Sequence, residues 1–341
     1  MNRTSQKETK SRKRKKLPPG QRLIRYFVFA LLVSLVPAWA ILNGPNLKIA
    51  DPKPEVGIAE PFHTADEQKD LENQLRTLTI DKPLRLGVFA IDPQTSKYVD
   101  VDGRGQFCAA SIIKLPILVA ALLAIDHHAI DPKSKLTIKK ELVTGGSGHL
   151  QWQPIGTKVP FMEVARLMMV FSDNTATNMI IDALGGKDPL NKNFKTWGLN
   201  QTKLNNYLGD FAGTNKTSPY DLVYLLARVD RGEFISKESR QWMLDTLKKT
   251  KVRTLLIAGL GPGAQLAHKT GDIGGMVGDA GIVTTHEGKK YYVAVQVERP
   301  PNDLRANALI RDTSKLLYGR FANYAEMIST QANVKSTHQL R

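Results

Sequence analysis

Cysteine is almost absent from this chain of 341 residues. Cys108 is the only one, so no disulfide can form within the chain and packing must supply its stability. No Cys-His signature accompanies Cys108, and we expect it to be a small buried packing residue instead of a catalytic thiol. Hydrophobic residues make up 42% of the sequence, which is enough to bury a substantial core in two structural units.

Signals for a metal or a nucleotide cofactor are also lacking. The seven histidines show no ligand spacing such as His-Glu-x-x-His, so we expect no metal. No glycine-rich phosphate loop accompanies a strand-to-helix turn, so the sequence gives no support for any cofactor. His268 precedes Lys269 on a predicted strand and should point to the opposite face, which suits a packing or supporting role.

Positive charge is concentrated at the N-terminus. The formal net charge of +16 would suit a nucleic-acid partner, but residues 1–26 alone contribute +9 and leave +7 for the rest. A basic block directly before an apolar segment indicates the cytoplasmic face of a membrane. We therefore predict a basic cytoplasmic segment over residues 1–26 and no nucleic-acid partner, while protein partners stay unknown.

The apolar segment spans residues 27–42. As a helix it would cover about 24 Å, a little less than the roughly 30 Å hydrocarbon core. We predict a single-pass anchor in the cytoplasmic membrane, with the following domain outside the cytoplasm, in the periplasm. Ala38-Trp39-Ala40 also fits a small-x-small cleavage site, so secretion after cleavage near Ala40 stays open. Residues 43–63 contain four prolines and are predicted to be a linker.

The predicted elements follow the order helix, two strands, a helical middle, three strands, helix. Helices are predicted at 65–75 and 303–318, and strands at 84–91, 97–101, 265–270, 280–285 and 290–298. The economical architecture is α/β (α+β): one five-stranded antiparallel sheet, flanked by the terminal helices, with an all-helical domain inserted after the second strand.

Domain boundaries follow from this order. We predict one catalytic domain over residues 64–320, whose sheet part comprises residues 64–108 and 260–320. The helical insert then covers residues 109–259. Residues 321–341 are polar and are predicted to form a flexible tail.

Ser111 and Lys114 stand three residues apart, at the start of an apolar run over residues 115–125. On a helix they share one face, so the hydroxyl and the amine can meet. A serine hydroxyl needs a neighbouring base to act as a nucleophile, and burial among apolar residues disfavours the ammonium form of a lysine. The alternative is an N-terminal serine cap and a lysine whose stem lies along the helix.

Two later segments favour the catalytic interpretation. Ser172-Asp173-Asn174 comes 61 residues after Ser111, and Lys269-Thr270-Gly271 comes 97 residues after Ser172. In this order and at these spacings, the three boxes resemble the signature of penicillin-recognising serine enzymes, namely class A β-lactamases and D-alanyl-D-alanine peptidases. The resemblance covers residues 84–319 and implies a β-lactamase/transpeptidase-like fold.

The resemblance implies roles in the reaction for residues of the first two boxes. The active site would be a cleft where the helical insert meets the sheet. Ser111 would attack a carbonyl carbon, with Lys114 taking its proton. Ser172 would relay a proton to the leaving nitrogen, and Asn174 would hold the substrate's amide. Asp173 is expected to point inward and brace its loop.

The third box implies substrate recognition. Lys269 would bind a substrate carboxylate by its charge and is also expected to be catalytic. Thr270 would bind the same carboxylate through its hydroxyl, and Gly271 would let the substrate lie close to the strand. The backbone N–H groups of Ser111 and Asp272 would form the oxyanion hole. Asp272 departs from the family pattern, because its carboxylate adds negative charge beside an anionic ligand; we expect it to turn outward or to meet a cation.

The loop over residues 198–218 departs from the pattern of class A β-lactamases. Class A β-lactamases have a glutamate there, followed four residues later by asparagine, and the pair holds the deacylating water. Alignment puts Leu208 at the glutamate and Ala212 at the asparagine, and leucine can neither orient nor deprotonate a water. Asp210 is the nearby carboxylate that could substitute on a different loop path. Asn206 replaces the arginine that pins the loop in those enzymes, which predicts a more mobile loop.

This pattern is similar to that of class A-like penicillin-binding proteins (the PBP-A type). The resemblance therefore implies an active-site serine D-alanyl-D-alanine peptidase (carboxypeptidase) whose ligands are peptidoglycan stem peptides and β-lactams, and which releases β-lactams slowly. The alternatives are a class A β-lactamase, with Asp210 as the deacylating base, and a non-catalytic receptor for β-lactams or peptidoglycan.

Overall fold

The computed structural model describes residues 62–322. The predicted cytoplasmic segment and anchor, residues 1–42, lie outside the described residues, as do nearly all of the predicted linker and tail. Within the described part of the chain, no helix is both long and apolar enough to cross a membrane.

Ten strands occur in the described residues, and six of them form one sheet. In chain order they are β1 Asp66–Glu67, β2 Arg85–Ile91, β3 Lys97–Val101, β4 Phe107–Cys108, β5 Lys135–Thr137, β6 Lys158–Pro160, β7 Lys216–Thr217, β8 Gln265–Ile273, β9 Met276–Thr284 and β10 Lys290–Glu298. Across the sheet the order is β1, β3, β2, β10, β9, β8, so β8 is an edge strand. The remaining strands form two small ribbons, β4 with β7 and β5 with β6.

The sheet has one strand more than the five that the sequence predicted. The five predicted strands are present and antiparallel, but β1 adds a sixth that runs parallel to β3, with Asp66 opposite Lys97. The chain enters the domain along the edge of β3, where Gln68 N donates to Tyr98 O at 2.9 Å. Two residues are too few to carry an alternating pattern, which is why β1 was not predicted.

The sheet separates two apolar cores. Six successive residues of β2 are buried, as in a strand that is covered on both faces. Val88 and Ala90 belong to one apolar cluster, whereas Phe89 and Ile91 belong to the other. Because successive side chains point to opposite faces, these two clusters lie on the two sides of the sheet.

Eight α-helices cover the sheet in the described residues. They are α1 Lys69–Thr77, α2 Lys114–Asp126, α3 Phe161–Val170, α4 Asn174–Ala183, α5 Lys187–Thr196, α6 Pro219–Asp230, α7 Lys237–Leu247 and α8 Arg305–Ala322. Leu71 of α1 and Leu309 of α8 belong to the cluster with Val88. The apolar residues of α2 and α3 belong to the cluster with Phe89, so the helical middle of the chain packs on the other face.

Two helices of the middle part begin at serine caps. Ser218 Oγ accepts from Asp221 N at 3.1 Å, with Pro219 as the first helical residue of α6. Ser236 caps α7 in the same way. By contrast α1 begins at Lys69, later than predicted, because the residues before it form β1.

Helix α2 brings the first box into the core. A short 3₁₀ helix, Ala110–Ile113, carries Ser111 and runs directly into α2, which begins at Lys114. Eleven residues of α2 from Lys114 to Ala124 are buried, as expected of a helix that is apolar all round. Lys114 therefore starts its helix inside the protein.

Candidate active site

Hydrogen bonds link the three boxes. Ser172 Oγ lies 3.1 Å from Lys114 Nζ and 3.1 Å from Lys269 Nζ, so it bridges the first and third boxes. Lys114 Nζ also donates to Asn174 Oδ1 at 2.9 Å. Four of the predicted residues thus form one cluster where the helical part of the chain meets β8.

Lys114 is fully buried, and its environment suits a base. Burial lowers the pKa of its amine well below the usual lysine range, and the charge of Lys269 lowers it further, against an opposing effect of Asp173. Its three acceptors are the Ser172 carbonyl at 2.6 Å, the Ser172 hydroxyl and Asn174 Oδ1. The amine is therefore held in place and loses its proton more easily than an exposed lysine does.

Lys269 is buried as well but keeps its charge more readily. Desolvation lowers its pKa to about 8, and the negative charge of Asp279 opposes that shift. Its amine donates to the Thr270 carbonyl at 2.7 Å and to Ser172. Lys269 can therefore present a positive charge at neutral pH, as the predicted carboxylate contact requires.

Ser111 lies in the 3₁₀ helix and lines the cleft. The spacing of Ser111 and Lys114 predicts that the hydroxyl and the amine meet, but the amine bonds to Ser172 and Asn174 instead. No residue from 62 to 322 makes a hydrogen bond with the Ser111 hydroxyl. The preceding Ala110 has a left-handed backbone (φ +42°), a costly conformation that tends to occur at functional sites.

The second box forms the turn before α4. Ser172 has a left-handed backbone (φ +56°), and Asp173 then caps α4 by accepting from Ala176 N at 2.8 Å. The other Asp173 oxygen accepts from the backbone N–H groups of His149 and Leu150 at 2.6 and 2.9 Å. Asp173 therefore points inward and braces the loop, as the sequence predicted.

Gly271 has a packing role that the sequence did not reveal. A Cβ atom there would lie 2.8 Å from Ile112 Cγ1 and 3.1 Å from Ala110 Cβ. The absent side chain thus lets β8 approach the 3₁₀ helix that carries Ser111. Thr270 and Gly271 are both buried on β8, and their predicted substrate contacts stay predictions.

Asp272 meets a cation, one of the two outcomes expected from the sequence. Arg299 Nη2 donates to Asp272 Oδ1, and the same nitrogen donates to the Ile273 carbonyl at 3.2 Å. Partial burial raises the pKa of the Asp272 carboxyl against the opposing effect of Arg299. Arg299 therefore compensates the negative charge that would otherwise face an anionic substrate.

A small cleft opens in front of Ser111. Its volume is about 60 Å³, and it is lined by Ala110, Ser111, Gly146, Ser147, Asn174, Leu208, Gly209, Asp210, Phe211, Asp272 and Ile273. A larger surface hollow of about 610 Å³ borders Arg76 and Arg85 but contains none of the three boxes. The chemistry therefore belongs to the smaller cleft.

Leu208 faces this cleft from the loop over residues 198–218. Its backbone is held on both sides by one side chain, because Asn178 Oδ1 accepts from Leu208 N at 2.7 Å and Asn178 Nδ2 donates to Leu208 O at 3.1 Å. Leu208 is only 7% exposed. The position that the alignment assigns to the deacylating glutamate is thus occupied by a fixed apolar side chain.

Asp210 lines the same cleft, but both of its oxygens already accept hydrogen bonds within its own loop. Thr214 Oγ1 donates to Asp210 Oδ1 and Asn215 N donates to Asp210 Oδ2, each at 2.7 Å. The carboxylate is therefore engaged in holding the loop.

The loop also has a substitute for the missing arginine. Asn215 Oδ1 accepts from Asn205 N and Asn206 N at 2.7 and 2.9 Å, and Asn215 Nδ2 donates to Asn206 O at 3.0 Å. Asn206 Nδ2 adds a bond to Thr214 Oγ1 at 2.8 Å. These contacts are an alternative means of holding a loop that the sequence had predicted to be mobile.

Sequence reasoning missed several supporting residues. Asn178, Asn215 and Arg299 act on partners that lie far away in the sequence or on another element, so no local motif marks them. Asp279 of β9 is fully buried and lies 2.8 Å from His268 Nδ1, behind the Lys269 strand. His268 Nε2 has no hydrogen-bond partner among the described residues.

Within residues 62–322 no group of three His, Cys, Asp or Glu is placed to hold a metal ion.

The fold and this cluster are those of an active-site serine enzyme: one serine lines the cleft, a second serine bridges two buried lysines, and the pKa of each lysine is lowered.

Comparison with known proteins places the chain in a family. The model of the β-lactamase enzyme family matches residues 70–321, so the chain belongs to that family of serine hydrolases. Among its relatives, the β-lactamase CARB-4 of Pseudomonas aeruginosa is 25% identical over 196 residues, which cover 54% of this chain and 67% of the relative. A β-lactamase of Bacillus licheniformis is 24% identical over 261 residues, covering 74% of this chain and 84% of the relative.

Solved structures add a second kind of relative. A structure of PBP-A is 43% identical to this chain with a TM-score of 0.75, and the match covers 78% of this chain and 100% of that one. A leucine-to-glutamate variant of PBP-A, solved as an acyl-enzyme complex with penicillin G, also matches at 43% identity and a TM-score of 0.75, over 76% of this chain and 99% of that one. The chain therefore has the fold shared by class A β-lactamases and PBP-A.

Proposed function

We propose that this enzyme is a penicillin-binding D-alanyl-D-alanine peptidase that acts on peptidoglycan stem peptides. The observation that carries the proposal is the state of the loop beside Ser111. Leu208 occupies the deacylating position, and the Asp210 carboxylate is engaged within the loop. An acyl-enzyme formed with a β-lactam would therefore lack the loop carboxylate that activates water in class A β-lactamases, and it would persist.

Acylation follows from the cluster. Ser111 Oγ attacks the carbonyl carbon of the terminal D-alanyl-D-alanine bond while the uncharged Lys114 amine takes the hydroxyl proton. Ser172, which bridges Lys114 and Lys269, passes a proton to the departing nitrogen. The C–N bond breaks, D-alanine leaves, and the remaining peptide is esterified to Ser111. Lys269 binds the carboxylate of the terminal residue by charge.

The acyl-enzyme formed with the peptide and the one formed with penicillin would differ in deacylation. When D-alanine has left, water or an amine acceptor can enter the space that it occupied. In penicillin the broken C–N bond leaves both fragments tethered, so the leaving group stays in the cleft and obstructs an acceptor. The penicillin G acyl-enzyme of the PBP-A variant supports β-lactam acylation as a property of this kind of site.

The proposal extends to location. Residues 1–42 combine a basic block with an apolar segment, which supports a membrane-anchored enzyme whose active site faces the extracytoplasmic peptidoglycan.

A class A β-lactamase is the second candidate, and two observations favour it. The relatives quoted above include β-lactamases, and Asp210 lines the cleft. This candidate requires Asp210 to leave its two loop hydrogen bonds and orient a water. A non-catalytic receptor is the third candidate, but it would not need Lys114 to be buried with a lowered pKa.

The test uses purified full-length protein, a modest excess of benzylpenicillin and intact mass spectrometry over hours, with a Ser111→Ala variant alongside. We expect a persistent one-to-one adduct in the wild type and none in the variant, because Ser111 is the only proposed nucleophile. Release of D-alanine from a peptide ending in D-alanyl-D-alanine then distinguishes the peptidase from a receptor. Rapid return to unmodified protein with all penicillin hydrolysed would assign the β-lactamase activity instead.

A further inference from the structure

A basic and aromatic surface patch lies on the helical part of the domain, outside the active site. We define it by five exposed residues: Lys133, Lys135, Trp152, Ile155 and Lys158. Lys133 lies just before β5, Lys135 and Lys158 belong to the β5–β6 ribbon, and Trp152 and Ile155 lie in the segment that leads into β6. None of them has a role in the catalytic cluster.

The ribbon geometry puts the lysines on its outer face. Thr137 pairs with Lys158, and cross-strand partners share a face, as do residues two apart on one strand. Lys135 and Lys158 therefore project on the same side. The opposite side carries the paired Leu136 and Val159, which pack against the large apolar cluster.

The apolar members of the patch are unusually exposed. Trp152 is 78% exposed and Ile155 is 57% exposed. Ile155 lies in a tight turn in which Thr157 N donates to Pro154 O at 3.1 Å, so the turn presents it outward. Two large apolar side chains exposed within three residues of each other suit an interaction site, and tryptophan favours the interface between water and lipid headgroups.

The charge of the patch is free to act on a partner. Segments 131–141 and 149–160 hold five lysines against two carboxylates. One lysine of the five, Lys139, pairs with Asp182 of α4. Within residues 62–322 no carboxylate forms an ion pair with Lys133, Lys135 or Lys158. Long lysine stems can lie along an apolar surface while their ammonium groups reach lipid phosphates.

We propose that this patch docks the folded domain on the surface of an anionic lipid bilayer. The lysines would contact the anionic headgroups, and Trp152 and Ile155 would enter the interfacial layer. Ser147 of the cleft wall is five residues before Trp152, a chain length of at most about 18 Å. Docking would hold the cleft close to the bilayer. The inference is independent of whether the enzyme is a peptidase or a β-lactamase.

The experiment reports where the patch lies, using the full-length chain in lipid nanodiscs. A fluorophore is attached to Gln153→Cys, between the two apolar residues, in a Cys108→Ala background. The matched control carries the fluorophore at Leu304→Cys, a residue that is 75% exposed at the start of α8. The discs contain brominated lipid as a quencher and either phosphatidylglycerol with phosphatidylcholine or phosphatidylcholine alone.

We expect the label at position 153 to be quenched at least about twofold more than the label at position 304 in the anionic discs. High salt and the double variant Lys135→Glu/Lys158→Glu should each remove this difference, because both weaken attraction to anionic headgroups. The double variant changes only the outer ribbon face, so its melting temperature and its acylation by penicillin should match those of the wild type.

Three outcomes would overturn the proposal. Equal quenching at the two positions would mean that the patch does not face the bilayer. Equal quenching at position 153 with and without phosphatidylglycerol would remove the role of the lysines. A change in the fluorescence of the label at position 153 that requires isolated peptidoglycan and does not require lipid would assign the patch to the wall polymer.

Discussion

At the scale of single residues, the active site is defined by two lysines that water does not reach. Lys114 and Lys269 both lie next to the Ser172 hydroxyl, and burial lowers the pKa of each. The charge of Asp279 opposes the shift only at Lys269. Asp279 therefore favours a cation at Lys269. The charge of Lys269 in turn lowers the pKa of Lys114, despite the opposing effect of Asp173, and leaves Lys114 easier to deprotonate.

This difference predicts a bell-shaped pH dependence for acylation by benzylpenicillin. The rate should rise as Lys114 becomes the neutral base and should fall as pH rises through about 8, where Lys269 loses its charge. Asp279→Asn should move the falling limb to lower pH, because it removes the charge that raises the Lys269 pKa. Stopped-flow acylation rates across this range check it; an alkaline limb that stays in place in Asp279→Asn would contradict the assignment.

Leu208 gives a second residue-scale prediction. Leu208→Glu should shorten the lifetime of the penicillin adduct by about 10²-fold or more, because a carboxylate facing the cleft can activate water. The lifetime is measured by intact mass spectrometry after excess penicillin is removed, with Leu208→Gln as the uncharged control. An unchanged lifetime would mean that this loop offers no site for the water.

At the scale of elements, the position of Ser111 depends on how closely β8 approaches the 3₁₀ helix. Gly271 permits that approach, since an added Cβ would lie 2.8 Å from Ile112. The helix itself continues into α2, whose buried apolar faces fix its position. Ser111 is thus held from two sides, by packing against β8 and by the start of α2.

Gly271→Ala should therefore reduce both stability and acylation. The methyl group must displace Ile112 or the strand, at a cost of about 1–3 kcal/mol in the free energy of unfolding. Urea denaturation and the penicillin acylation rate measure the two effects. Gly274→Ala is the control, because a Cβ at that position meets nothing within 4 Å. Equal effects of the two substitutions would rule out the close approach as the cause.

At the scale of the whole molecule, the sheet separates the apolar cluster that contains α2 from the apolar cluster that contains α1 and α8. The cluster on one face contains α2 and surrounds the catalytic residues, while the cluster on the other face holds α1 and α8 against the sheet. Stability can therefore be lost on the second face without direct damage to the cleft.

Leu309→Ala on α8 tests this division. Leu309 is buried in the second cluster, and its truncation should cost about 2–5 kcal/mol in the free energy of unfolding. The acylation rate, measured well below the melting temperature, should stay within about twofold of the wild type, because additivity holds for distant sites. A large loss of acylation in folded protein would show that α8 supports the cleft.

Much of this fold and site could be predicted because their signals are local. Short apolar stretches between turns marked five strands, and three short boxes marked the cluster around Ser172. The two-residue strand β1 escaped, since no pattern fits in so short a segment. The hydrogen bond expected between Ser111 and Lys114 also differed, because Lys114 is buried toward the second box and finds its acceptors there.

The sequence by itself determined the order of elements, the three boxes and the leucine that aligns with the deacylating glutamate of class A β-lactamases, because each is written in residue type and spacing. Only the tertiary structure decided how these residues are held. Asn178 fixes Leu208, Asn215 closes the loop, Arg299 compensates Asp272, and Asp279 sets the charge of Lys269. Each of these effects joins separate parts of the chain or depends on burial, and neither distance nor burial is readable before the chain is folded.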